Sequence, residues 1–129
     1  MNNPEQAAAL EYKLLLHQFQ KLQQNIAALE QHIDDLKKIQ ENIETIATTE
    51  VGKETLIPLG SGIFIKGTLS NNKELLMNVG ANVCLDKPIP EALQTVAKQA
   101  EEVGALIDQL EQETENIALR LEEAKKAIN

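Results

Sequence analysis

Glu54-Thr55-Leu56-Ile57-Pro58-Leu59-Gly60-Ser61-Gly62-Ile63-Phe64-Ile65-Lys66-Gly67-Thr68-Leu69-Ser70-Asn71-Asn72-Lys73-Glu74-Leu75-Leu76-Met77-Asn78-Val79-Gly80-Ala81-Asn82-Val83-Cys84-Leu85-Asp86-Lys87 is the one stretch of this chain that does not read as helix, and its reading decides the fold. Thr55–Leu59, Gly62–Leu69, Glu74–Val79 and Asn82–Leu85 are short and rich in β-branched and aliphatic residues. Between them stand Gly60-Ser61-Gly62, Ser70-Asn71-Asn72-Lys73 and Gly80-Ala81-Asn82, residue types that make turns and hairpin loops. Two consecutive β-hairpins are expected over 54–87.

Outward on both sides the pattern changes to one of period 3.5. Ala8, Tyr12, Leu15, Phe19, Leu22, Ile26, Leu29, Ile33, Leu36, Gln40, Ile43 and Ala47 step alternately by four and three, and all but Gln40 are apolar. Asn3 before Pro4 and Glu5 suits a helix start, Thr48 and Thr49 weaken the helix, and Gly52 ends it. A first coiled-coil helix is expected over 5–49. After Pro88 and Pro90, which a first helical turn tolerates, Ile89, Leu93, Val96, Ala100, Val103, Ile107, Leu110, Thr114, Ile117, Leu121, Ala124 and Ile128 repeat the same steps, with Thr114 the polar exception. A second helix is expected over 88–128.

If the chain turns back through the β stretch, Ala47 faces Ile89 and every other seam residue finds a partner, Phe19 with Ile117 and Ile26 with Leu110 among them. Two seams that match layer for layer predict an antiparallel coiled-coil hairpin, each helix about 60 Å long. Gln40 would face Val96 and Thr114 would face Leu22, either as register-fixing polar layers or as tolerated faults. Ile39 and Ile46, beside the seam at the base, are expected to pack under the β part. The fold class is mainly α with a β insert, one domain over 1–129. Isolated two-stranded hairpins have open edges and little core, so oligomerisation through the strands is expected.

Composition narrows the function. Aromatics are 2% of 129 residues, which suits a linear core more than a thick one, and a net charge of −8 without Lys/Arg runs disfavours nucleic acid and anionic membranes as partners. No stretch approaches the roughly 18 apolar residues of a membrane span, and Met1–Gln6 lacks the basic and apolar regions of a secretion signal. Cys84 is the single cysteine, and a reducing cytoplasm is the expected compartment. His17 and His32 have no ligand-spaced neighbours and read as solvated; Cys84 reads as a packed or surface thiol; runs such as Glu111–Glu115 read as solvated faces of a narrow coil without a cleft. Gly60-Ser61-Gly62 is followed by neither Gly-Lys-Ser/Thr nor a helix, so it reads as a turn and not a phosphate loop. No enzyme, cofactor or metal is expected.

Apolar residues outside the seam carry more information. Leu10, Leu14 and Leu119 fall at outer heptad positions and Leu16 flanks the seam. With Ala7, Leu121 and Ile128 they make the free end apolar, as an interaction surface would. Loose packing of coil ends is the plainer alternative.

Pro58-Leu59-Gly60-Ser61-Gly62-Ile63-Phe64-Ile65-Lys66-Gly67, followed by Val79-Gly80-Ala81-Asn82-Val83, resembles the β signature of the prefoldin α class, whose members carry two hairpins between the helices where the β class has one. Asn82 stands where small residues are common in that family. The resemblance implies a hexameric chaperone of two α and four prefoldin β subunits, in which the strands join an oligomeric β-barrel platform from which six coiled coils hang. Ile63, Phe64, Ile65, Leu75, Met77, Val79, Val83 and Leu85 would build that platform. It further implies that coil tips, here Ala7, Leu10, Leu14, Leu16, Leu119, Leu121 and Ile128, grip non-native client proteins and pass them without ATP to a group II chaperonin. Two other readings stay open: a self-assembling scaffold of this chain alone, ring-like or filamentous, and an adaptor that tethers one folded partner through its coil.

Overall fold

The computed structural model describes residues 3–128, and its elements run α1 (Pro4–Thr48), β1 (Glu54–Gly60), β2 (Ile63–Thr68), β3 (Glu74–Gly80), β4 (Val83–Pro88) and α2 (Ile89–Ile128). The fold is thus two long helices, of 45 and 40 residues, with two antiparallel hairpins between them. Residues 3–35 with 100–128 form one compact unit and Leu36–Gln99 a second.

The limits of each helix follow from local chemistry. The Asn3 side chain accepts from the Glu5 backbone N–H at 3.1 Å, which caps α1 at its Pro4 start. At the other end the Thr45, Thr48 and Thr49 hydroxyls donate back to carbonyls one turn earlier, Thr49 to Thr45 at 2.7 Å, and Gly52 then takes φ 86°. The α2 start places Pro90 in the first turn, where no helical partner for its N–H is lost.

In the first unit the two helices run antiparallel. Leu22 lines one groove with Glu113, Asn116 and Ile117, and Ile26 lines another with Glu111 and Thr114. The Arg120 guanidinium lies 4.0 Å from the Glu11 carboxylate, both beside the seam on the same flank, as antiparallel helices require. Leu15, Ile107 and Ala124 are buried along that seam. Thr114 is half-buried and its hydroxyl donates to the Leu110 carbonyl at 2.7 Å, so the helix itself satisfies this polar layer.

In the second unit Leu36, Ile43, Ile89, Ala92 and Val96 are buried. Ile46 shares a concavity with Thr49, Thr55, Leu56, Ile57, Pro58 and Leu69, so the first hairpin covers it. Ile39, expected in the core there, is instead 45% exposed: the hairpin reaches Ile46 but not the heptad before it. Gln40, its neighbour on the seam, is exposed as well, which leaves the amide solvated.

The hairpins are two separate two-stranded sheets. β1 pairs with β2 from Glu54↔Thr68 to Gly60↔Ile63, and β3 with β4 from Glu74↔Pro88 to Gly80↔Val83. Each position in the second ladder is twenty residues beyond its counterpart in the first, and each ladder shifts register at the same place, between Pro58 and Gly60 and between Asn78 and Gly80. The extra residues are Leu59 and Val79. The turns repeat too: Ser61 and Gly62 have φ 52° and 75°, Ala81 and Asn82 φ 49° and 60°, the paired positive values of a two-residue hairpin loop whose twist suits the strands.

The linker between the sheets ties the base together. Asn72 Nδ2 donates to the Thr49 carbonyl at 3.0 Å, occupying one of the acceptors left free at the α1 C-terminus. The Ile89 N–H donates to Lys73 C=O at 2.9 Å and the Gly52 N–H to Leu69 C=O at 3.0 Å. Asn71 Oδ1 accepts from the Lys73 and Glu74 N–H groups, which sets the turn into β3.

Candidate assembly and client-contact surfaces

The period of the seam dictates what the helices leave outside it. Leu10 and Leu14 stand one turn apart at outer positions of α1 and are each 59% exposed, while Leu119 holds an outer position of α2 and is 57% exposed. Outer positions of two paired helices face away from each other, so these leucines form two stripes and not one patch. Ala7 and Ile128 are exposed, whereas Leu16 and Leu121 are half-buried beside and within the seam. Leu14 and Leu15 show how sharp the division is, since Leu15 is 3% exposed.

The strands are more open still. Ile63, Phe64, Ile65, Val79, Val83 and Leu85 are exposed; Leu75 and Met77 are half-buried. Leu56 and Leu76, which sequence reading left out of this group, are exposed too, Leu76 at 69%. Their signal was available in the period of two: Leu56 and Phe64 lie on one face of the first hairpin, and Leu76 holds the equivalent place in the second. Apolar residues thus stand open on both faces of each small sheet, an arrangement that isolated strands in water do not sustain. Cys84 is free and exposed on β4, opposite Asn78.

His17 and His32 are exposed on α1. Among the described residues no helix is long and apolar enough to cross a membrane.

Comparison with known proteins bears on this arrangement directly. Residues 15–129 match the family model described as Prefoldin subunit. The chain belongs to the prefoldin family. Its relatives include prefoldin subunit alpha of Thermofilum pendens, 23% identical over 99% of this chain and 99% of that one. Prefoldin subunit alpha of Pyrococcus horikoshii is 30% identical over 98% of this chain and 87% of that one. Prefoldin subunit alpha of Methanococcus maripaludis is 31% identical over 80% and 69%. All three are archaeal α subunits of prefoldin, and the two hairpins agree with that class. Among solved structures, a filamentous PFD from Methanocaldococcus jannaschii, determined by cryo-electron microscopy, shares the fold with a TM-score of 0.78 at 20% identity, over 89% of this chain and 95% of that one. Prefoldin membership implies assembly with other prefoldin subunits.

Proposed function

We propose that this chain is the α subunit of a chaperone that holds non-native polypeptides at the ends of its coiled coils. Leu10, Leu14 and Leu119 carry the proposal: they are large, more than half exposed, and unneeded by the seam. Apolar groups spread over several arms contact exposed apolar segments of a client at several points, each weak, so the client is held by avidity and still released. Ala7, Leu16, Leu121 and Ile128 extend the same surface. The strands, through Ile63, Phe64, Ile65, Leu75, Met77, Val79, Val83 and Leu85, join those of other subunits in a β-barrel platform of two α and four β subunits. This assembly hands clients to a group II chaperonin, needs no ATP and works in the cytoplasm.

The test replaces Leu10, Leu14 and Leu119 together by Ser and follows light scattering as a denatured enzyme is diluted into buffer. Suppression of aggregation is expected to fall severalfold while oligomer mass is unchanged. Unaltered suppression at unaltered mass would sink the assignment of the coil ends.

A second reading is favoured by the strands being open on both hairpins and by the filamentous solved relative: this chain alone builds rings or filaments as a scaffold. Light scattering of the isolated chain separates the two. Small species that become a six-chain complex on adding a β-class subunit support the hexamer, and large homo-oligomers support the scaffold.

A further inference from the structure

The charge of this chain is not spread evenly. Residues 36–99 hold seven acidic and seven basic side chains, so the whole formal charge of −8 belongs to the coil unit of residues 3–35 and 100–128. Within that unit the two apolar stripes stand in different company. On a helix, the side chains three and four positions away are a residue's neighbours. Leu119 on α2 has Glu115, Asn116, Glu122 and Glu123 in those places, all exposed. On α1, Leu10 has Gln6, Ala7, Lys13 and Leu14, and Leu14 has Leu10, Glu11, His17 and Gln18. Glu11 lies 4.0 Å from Arg120, whereas among the described residues Glu115, Glu122 and Glu123 enter no ion pair. Lys126, one turn beyond Glu122 and Glu123, offsets part of their charge. The α2 stripe is thus an apolar residue in an acidic frame, while the α1 stripe is apolar and close to neutral.

We propose that the Leu119 face selects among non-native chains, taking segments in which apolar residues are interspersed with Lys or Arg. This selection rests on the client-holding reading of the coil ends and adds the chemistry of the segment held. An unfolded segment that lays an apolar side chain on Leu119 brings its flanking residues over the adjoining turns of α2. A lysine or arginine there meets Glu115, Glu122 or Glu123, and its methylene stem covers the leucine, while a glutamate is repelled. Each exposed pair is weak on its own, but three carboxylates around one apolar contact act on the same segment. The negative field of the coil unit also speeds the encounter with cationic chains. The charged heads stay in water, so little desolvation opposes the contact and release stays easy. Segments with apolar residues alone are left to Leu10 and Leu14, whose frame carries no such charge.

Fluorescence anisotropy of peptides binding to the full-length chain tests this. Three labelled peptides share one unstructured run of leucines and serines and differ only in the interspersed residues, which are Lys, Gln or Glu. The Lys peptide is expected to bind about tenfold more tightly than the Glu peptide at low salt, and the gap is expected to close in about 1 M salt. Replacing Glu115, Glu122 and Glu123 together by Gln is expected to cut the preference to less than about twofold, and replacing them by Lys to reverse it, a result that unfolding cannot mimic. The variant E101Q/E102Q/D108N removes as much charge from the same helix, at least 11 positions from Leu119 and so beyond the screening length, and is expected to keep the preference. L119S is expected to weaken the Lys peptide more than L10S/L14S does. Equal affinity of the unaltered chain for all three peptides overturns charge selection and leaves client holding in place; binding of none of them removes both. A preference that survives the triple Gln variant, or that is lost equally in E101Q/E102Q/D108N, overturns the role of the frame around Leu119.

Discussion

The Ile57 side chain lies over Gly67: a Cβ at residue 67 would stand 2.8 Å from Ile57 Cδ1. The two residues are diagonal across the first ladder, since Gly67 pairs with Thr55 and Ile57 with Ile65. Gly67→Ala is expected to cost about 1 kcal/mol, because only the end of the isoleucine chain must move. Ile57→Val deletes that end, so the double variant is expected to recover part of the loss. A denaturant double-mutant cycle at fixed protomer concentration measures this, and strictly additive losses would contradict it.

Asn72→Ala is expected to destabilise the chain by about 1 kcal/mol, because the Thr49 carbonyl loses a partly buried donor. Asn72→Asp is expected to be worse: a carboxylate has no N–H to give and meets the negative end of the α1 dipole. Hydrogen exchange around the α1 C-terminus and thermal melts of the two variants check the order.

Leu14 and Leu15, adjacent in sequence, are expected to fail in opposite ways. Leu15→Ala opens a cavity in the seam and costs about 3 kcal/mol. Leu14→Ser changes stability by no more than about 0.5 kcal/mol but weakens client holding. Melting curves and aggregation assays on both variants measure the contrast, and equal effects on both readouts would remove the distinction between seam and contact surface.

Ala81 sits at φ 49° in the second turn, a left-handed conformation that its Cβ disfavours. Ala81→Gly is expected to raise stability by about 0.5 kcal/mol, the relief of strain being partly offset by the freer unfolded chain. Asn82→Gly is expected to gain less, because Asn tolerates this region. Urea titration of the two variants gives the comparison.

Much of this fold was legible because a coiled coil writes its contacts as a period. Leu15, Leu36, Ile43, Ile89, Val96, Ile107 and Ala124 are all seam residues and all buried. The outer leucines were legible for the same reason: whatever the period omits is left on the surface. Less could be read where burial depends on a neighbouring element. Ala92, off the seam, is 1% exposed, and Ile39, also off the seam, is open, and no spacing rule separates the two. The linker Ser70–Lys73 reads correctly as turn, yet the bond from Asn72 to Thr49 spans 23 positions and has no local signature. The bulges at Leu59 and Val79 were hidden too. A sequence counts residues evenly, whereas a bulge sets two of them against one.

The twenty-residue step between the hairpins gives this chain a modular grammar. Removing one block of that length would leave the other with its own loop, bulge and flanking strands whole, whereas loss of an odd number of residues from one strand would turn the side chains beyond it to the wrong face. A whole hairpin can therefore be gained or lost in one step of twenty residues without disturbing the pairing inside the other.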